Sequence, residues 1–140
     1  MCRAVSTYFA KLKSLPSNVI PISICGKAPD WYKGLQYKKL APKYQFFMEW
    51  KKNHDNDYYI RCFTEQVLDT IDIDTVLNDI WNLLPAETQA YCKLFNCPFW
   101  ANPNQHIVLV CYEKPADFCH RHLVADWMKQ HGIQMEEWLG

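Results

Sequence analysis

The sequence predicts an α/β fold in which a small, open, mostly parallel sheet is covered by helices in the Rossmann-like manner. Three observations predict it. Residues 106–111 (HIVLVC) form an unbroken apolar run, the pattern of a strand buried on both faces of a parallel sheet. Strand-like segments stand near both ends of the chain, with helical periodicity between them. The final strand–helix–strand unit then fits a right-handed crossover.

Taken in order, residues 4–10 (AVSTYFA) are rich in β-branched and aromatic side chains and read as the first strand. Residues 19–25 (VIPISIC) read as the second, with Pro21 pointing to a sheet edge or a strand start. Gly26, Pro29 and Asp30 break that pattern, so a loop follows the carboxyl end of the second strand. Residues 32–42 show no clean period. From Lys43 onwards Tyr44, Phe47, Met48 and Lys51 share one side of a helix. A second helix is expected over residues 57–68 on the spacing of Tyr59, Cys62, Phe63, Gln66 and Val67. A third begins at Asp74 as N-cap and carries Val76, Leu77, Ile80, Trp81 and Leu84. Pro85 ends it, and a short fourth helix contains Thr88, Tyr91, Cys92 and Phe95. After the strand at 106–111, Pro115, Ala116 and Asp117 form a turn, with Asp117 expected to cap a helix over residues 118–130. Gly132 stops that helix, and residues 133–138 add a last strand, whose Trp138 packs in the core or at a dimer contact. With no repeats or linkers, residues 1–140 make one domain.

Composition narrows the function. The chain is 49% hydrophobic and 21% charged, ordinary globular usage that excludes wholesale disorder. Fifteen basic residues balance fifteen acidic ones, so net charge does not support a nucleic-acid partner. A local basic stretch from Lys33 through Lys38, Lys39 and Lys43 to Lys51 and Lys52 reads as a solvated face. No apolar run approaches a membrane span, and seven cysteines without a secretory signal indicate free thiols in a reducing cytoplasm. Cys25, Cys62 and Cys92 read as plain core residues.

Chemistry concentrates between Cys111 and Arg121. Open parallel sheets bind ligands beyond the carboxyl ends of their strands, and two segments meet that condition, the loop after Cys25 and the segment from Cys111 to Arg121. Cys111 stands at such an end, Glu113 in the connection, and Cys119, His120 and Arg121 in the first turn of the next helix. First-turn amides favour an anion or a thiolate, and Arg121 adds a bidentate donor at an end where a cation does not stabilise the helix.

The segment Leu109-Val110-Cys111-Tyr112-Glu113-Lys114, followed by Phe118-Cys119-His120-Arg121-His122-Leu123-Val124-Ala125, resembles the signature of an uncharacterised bacterial and phage family, domain of unknown function 488. Ser6-Thr7-Tyr8-Phe9, Ile22-Ser23-Ile24 with Pro29-Asp30-Trp31, and Leu40-Ala41-Pro42 also resemble it. The resemblance implies an α/β domain with a Cys-x-Glu and Cys-His-Arg site and supplies no reaction.

The expected function is therefore an enzyme acting on a nucleotide, a nucleobase or another small anionic ligand. Arg121 would hold the anion, and Trp31 and Tyr32 would stack on a ring, with Ser6 and Tyr8 also on the ligand side. Glu113 or His120 would transfer protons, and Cys111 or Cys119 would act as nucleophile. A binding protein that captures the ligand without turnover is the alternative. A cysteine phosphatase is not expected, because Cys111 and Arg121 are ten residues apart and Cys119 and Arg121 only two. Zinc is the third reading, since Cys111, Cys119, His120 and His122 are competent ligands. It is disfavoured because no CxxC pair is present and adjacent Cys119 and His120 would diverge by about 100° on a helix. Cys92 and Cys97 form another pair, without a second set. No metal ligand and no cofactor is assigned.

Overall fold

A computed structural model describes residues 4–16, 19–96, 106–113 and 117–137. Five parallel strands make one sheet: β1 (Ala4–Tyr8), β2 (Val19–Ser23), β3 (Leu35–Gln36), β4 (His106–Cys111) and β5 (Met135–Glu137). Their order is β3-β2-β4-β1-β5. Five helices accompany them: α1 (Tyr44–Asn53), α2 (Asn56–Gln66), α3 (Ile73–Leu83), α4 (Ala86–Leu94) and α5 (His120–Gln130). The mostly parallel α/β sheet expected from the sequence is present, and parallel throughout.

The strand order explains why β4 is apolar from Ile107 to Cys111. The chain moves one way across the sheet from β1 to β2 to β3, then reverses to reach β4 and β5. Right-handed crossovers running in opposite directions lie on opposite faces, so both faces are covered. Ile107 and Leu109 enter the larger core with Ile22, Ile24 and all five helices. Val108 and Val110 enter a second core with Val5, Phe9, Val19 and Tyr32.

Several expected boundaries shift, each for a local reason. β1 stops at Tyr8 because the backbone turns into a 3-10 segment, Phe9–Ser14, that seats Phe9 in the second core. Its ring meets Tyr32 at 5.3 Å and Tyr112 at 5.0 Å, edge to face. β2 is not an edge strand: β3 covers it, but pairing begins only at Ile22, one residue past Pro21, which has no N–H to give. β3 itself, two residues long, has no detectable period. The cap of α3 is Asp72, not Asp74; its two oxygens accept from the Thr75 amide and hydroxyl, both at 2.9 Å. Likewise α5 begins at His120, and its cap is Cys119 rather than exposed Asp117. Gly132 ends α5 as expected: its φ of +83° closes a Schellman turn in which the Ile133 amide donates to Met128 O at 3.0 Å. Pro115, Ala116 and Trp138 lie outside the described residues, as does Cys97.

One polar tie joins the sheet side to α3. The buried Tyr37 hydroxyl donates to Asp79 at 2.7 Å, and Lys39 reaches the same oxygen at 3.1 Å. Both bonds hold the Asp79 carboxyl below its ordinary pKa. A lowered carboxyl contributes stability above the unfolded carboxylate pKa and loses it as pH falls through the folded value. Tyr37→Phe is therefore expected to cost about 1 kcal/mol at neutral pH. That difference should shrink as pH falls from neutral into the acid range, where the carboxylate takes up a proton. Urea unfolding of the pair at neutral and acid pH checks it.

Candidate functional site

The chain reverses direction across the sheet between β2 and β4: β2 leads outward to β3, and β4 leads back over α5. Adjacent strands whose connections depart to opposite faces leave a crevice at their carboxyl ends. A cavity of about 710 Å³ occupies that place, lined by residues that include Cys25, Gly26 and Lys27 after β2, and Cys111, Tyr112 and Glu113 at the end of β4. The Tyr112 hydroxyl donates to Lys27 O at 2.7 Å and ties the two loops together.

The walls are aromatic. Trp50 from α1, Tyr59 from α2 and Phe118 ahead of α5 form a three-sided cluster: Trp50–Phe118 5.5 Å, Tyr59–Phe118 5.0 Å and Trp50–Tyr59 5.6 Å between ring centroids. Tyr44, Phe47 and Lys51, one turn apart on α1, complete that wall. Their shared helix side was legible in the sequence, but it faces the cavity; the buried residue of α1 is Phe46.

Cys111, Cys119 and His120 gather at the inner end. Cys119 has extended backbone (φ −156°, ψ 142°), which turns its sulfur back under the helix, where the Arg121 amide donates to it at 3.5 Å. The Cys119 thiol donates to Cys111 Sγ across 2.7 Å. His120 Nδ1 stands 3.6 Å from Cys111 Sγ and 3.9 Å from Cys119 Sγ. Its Nε2 lies 2.7 Å from the Ile24 carbonyl. A carbonyl only accepts, so Nε2 carries a proton there, and Nδ1 faces both sulfurs. Phe63 backs the imidazole, ring to ring at 5.5 Å.

Neighbouring thiols and burial favour the protonated form of both sulfurs. Cys119 donates to Cys111 and pulls its pKa down, but neighbouring Cys25 and burial outweigh that pull and push Cys111 up to about 12. The thiol of Cys119 is raised as well, first by giving its hydrogen bond to Cys111 and then by burial.

Arg121 stands outside this cavity. Its guanidinium is fully buried; Nη2 and Nε donate to Glu137 Oε1 at 2.9 and 3.3 Å, and Nη1 donates to the Glu113 backbone carbonyl at 2.8 Å. A cation at the first turn of a helix is accounted for here by a carboxylate from β5, brought close by sheet pairing and by no local signal. All three bonds hold structure, so Arg121 fixes the loop that presents Glu113 and does not face a ligand. The Glu113 side chain is exposed and lines the cavity.

The other expected ligand contacts also lie elsewhere. Tyr32 is buried in the second core, its hydroxyl 2.6 Å from Leu35 O and 3.2 Å from Pro21 O. Trp31 is 57% exposed and packs edge-on to Phe9 at 6.0 Å. Ser6 is buried mid-sheet opposite Leu109, two residues short of the strand end. Tyr8 pairs in register with Cys111 but does not line the cavity. His122 sits 3.9 Å from Glu137, away from the thiols, and burial together with Arg121 lowers its pKa.

The loop after Cys25, which carries Lys27, was expected at a strand end and lines the cavity, whereas Cys25 itself and the aromatic wall were not singled out. Cys25 ends the second apolar run, just before the strand-end loop, and that position was its signal. The objection that Cys119 and His120 diverge on a helix does not hold, because Cys119 precedes the helix. The donor atoms of Cys111, Cys119 and His120 all lie within 4.8 Å of one another, a set able to hold a metal ion.

No protein-family model, curated protein or solved structure matches the chain. Among the described residues no helix is long and apolar enough to cross a membrane.

Proposed function

We propose that this chain is an enzyme acting on a small anionic ligand that carries a flat ring, a nucleotide or a nucleobase. The observation that carries the reading is an aromatic-walled cavity, at the carboxyl ends of β2 and β4, that closes on two thiols and an imidazole. Its volume suits a ligand of that size. Trp50, Tyr59 and Phe118 offer ring faces, and Lys27 and Lys51 replace Arg121 as the source of positive charge at the walls. Glu113 moves a proton at the mouth, and Cys111, Cys119 and His120 close the inner end of the cavity.

Capture without turnover is the second reading, and the raised thiols favour it, since a protonated sulfur is a poor nucleophile. A panel of nucleotides and nucleobases, titrated against tryptophan fluorescence and then incubated and analysed by mass, separates the two. Wild type is expected to bind at least one compound and convert it. Glu113→Gln, on an exposed side chain, should keep affinity within about twofold and lose about 10²-fold or more in turnover. A bound compound recovered unchanged makes the chain a binding protein, and no binding across the panel ends both readings.

A further inference from the structure

We propose that Cys111, Cys119 and His120 form a zinc site with one open coordination position facing the cavity. Zinc in catalytic sites takes three protein ligands and leaves the fourth position for water or substrate, and two cysteines with one histidine are an established set. The three donors converge from the end of β4 and the start of α5, and all three line the cavity.

Three features favour a metal over two resting thiols. The first is the imidazole. Metal-bound histidines commonly give their remote N–H to a carbonyl or carboxylate, which fixes tautomer and ring orientation. His120 has that arrangement, with Nε2 on Ile24 O at 2.7 Å and Nδ1 turned to the sulfurs.

The second is spacing. Tetrahedral zinc, with bonds of about 2.3 Å to sulfur and about 2.0 Å to nitrogen, sets its nitrogen and sulfur donors about 3.6 Å apart and its sulfurs about 3.8 Å apart. The Nδ1–Sγ distances of 3.6 and 3.9 Å already match. The sulfurs, at 2.7 Å, must part by about 1 Å, and loss of both thiol protons drives that separation, because two thiolates repel.

The third is what each alternative leaves behind. A Cys111–Cys119 disulfide would leave the buried Nδ1 facing two sulfurs with no proton to give it. An unpartnered buried acceptor is costly, whereas zinc satisfies all three donors at once. Thiolate with imidazole selects zinc over magnesium or calcium. Binding exchanges two thiol protons for the ion, and no oxidant or reductant is involved.

The assignment rests on the donor cluster and not on the proposed ligand, so it is tested with metal alone. Reduced, metal-free chain is dialysed against micromolar zinc, and separately against cobalt. One ion per chain is expected, with a thiolate-to-cobalt charge-transfer band in the near ultraviolet. Cys111→Ser and Cys119→Ser should each remove about half of that band, and zinc should protect Cys111 and Cys119 from alkylation in the wild type. Failure of the wild-type chain to take up either ion overturns the proposal, and needs no variant to be folded. Uptake unchanged in the Cys111→Ser/Cys119→Ser double variant also overturns it, as does a Cys111–Cys119 disulfide formed in air with zinc present. A failed nucleotide panel leaves the ion count untouched.

Discussion

Glu137→Ala is expected to destabilise the fold by about 3–5 kcal/mol, the cost of stranding a buried charge. Arg121 has no exposed side-chain surface, and Glu137 Oε1 receives two of its donors. Removal of the carboxylate leaves the guanidinium held only by the Glu113 carbonyl. Arg121→Met should also be costly, because it strands the Glu137 carboxylate, whose Oε2 is already buried without a partner. The double variant Arg121→Met/Glu137→Leu should recover most of the loss, since apolar groups of similar volume often replace a buried pair without penalty. Urea unfolding of the three variants gives the ordering. If both single variants cost under about 1 kcal/mol, the pair behaves like a surface ion pair and the buried reading fails. The same bonds couple stability to the site, because Nη1 holds the backbone of Glu113 in the cavity wall. Loss of ligand binding in an Arg121 variant therefore reports on folding of that loop, not on an anion contact.

Local rules account for what the sequence showed and for what it concealed. The apolar run of β4 and the Gly132 stop depend on side chains and backbone within a few residues, and both could be read directly. The cluster of Cys111, Cys119 and His120 was legible as a density of reactive groups in one short segment. Its geometry was not. Whether Cys119 lies inside the helix or caps it changes the direction of its sulfur, and that was settled by two residues of backbone before α5. Contacts between distant segments were the other blind spot. Glu137 meets Arg121 only because β5 pairs with β1, and Ile24 reaches His120 only because β2 lies beside β4. The placement of the expected ring partners follows from topology as well. Trp31 and Tyr32 follow β2 on the face covered by the 3-10 segment, whereas the cavity wall comes from α1 and α2 on the other face.

Phe63→Ala is the second large effect expected, and it links core to site. Phe63 has no exposed surface and sits between Phe46, Tyr59 and the His120 ring, at 6.5, 6.1 and 5.5 Å between centroids. Truncation of a buried phenylalanine costs about 3–5 kcal/mol, through lost transfer energy and the cavity left behind. Phe63→Leu should cost less than half as much while still removing the flat surface against which the imidazole rests. Histidine orientation then depends on the single bond from Nε2 to Ile24 O. The leucine variant should remain folded at room temperature yet hold cobalt more weakly, by about tenfold or more, the usual cost of disturbing a ligand's supporting contacts. Thermal unfolding and cobalt titration of the two variants separate the effects. Unchanged cobalt affinity in Phe63→Leu would mean that the carbonyl alone fixes the ring, and that packing behind His120 serves stability only.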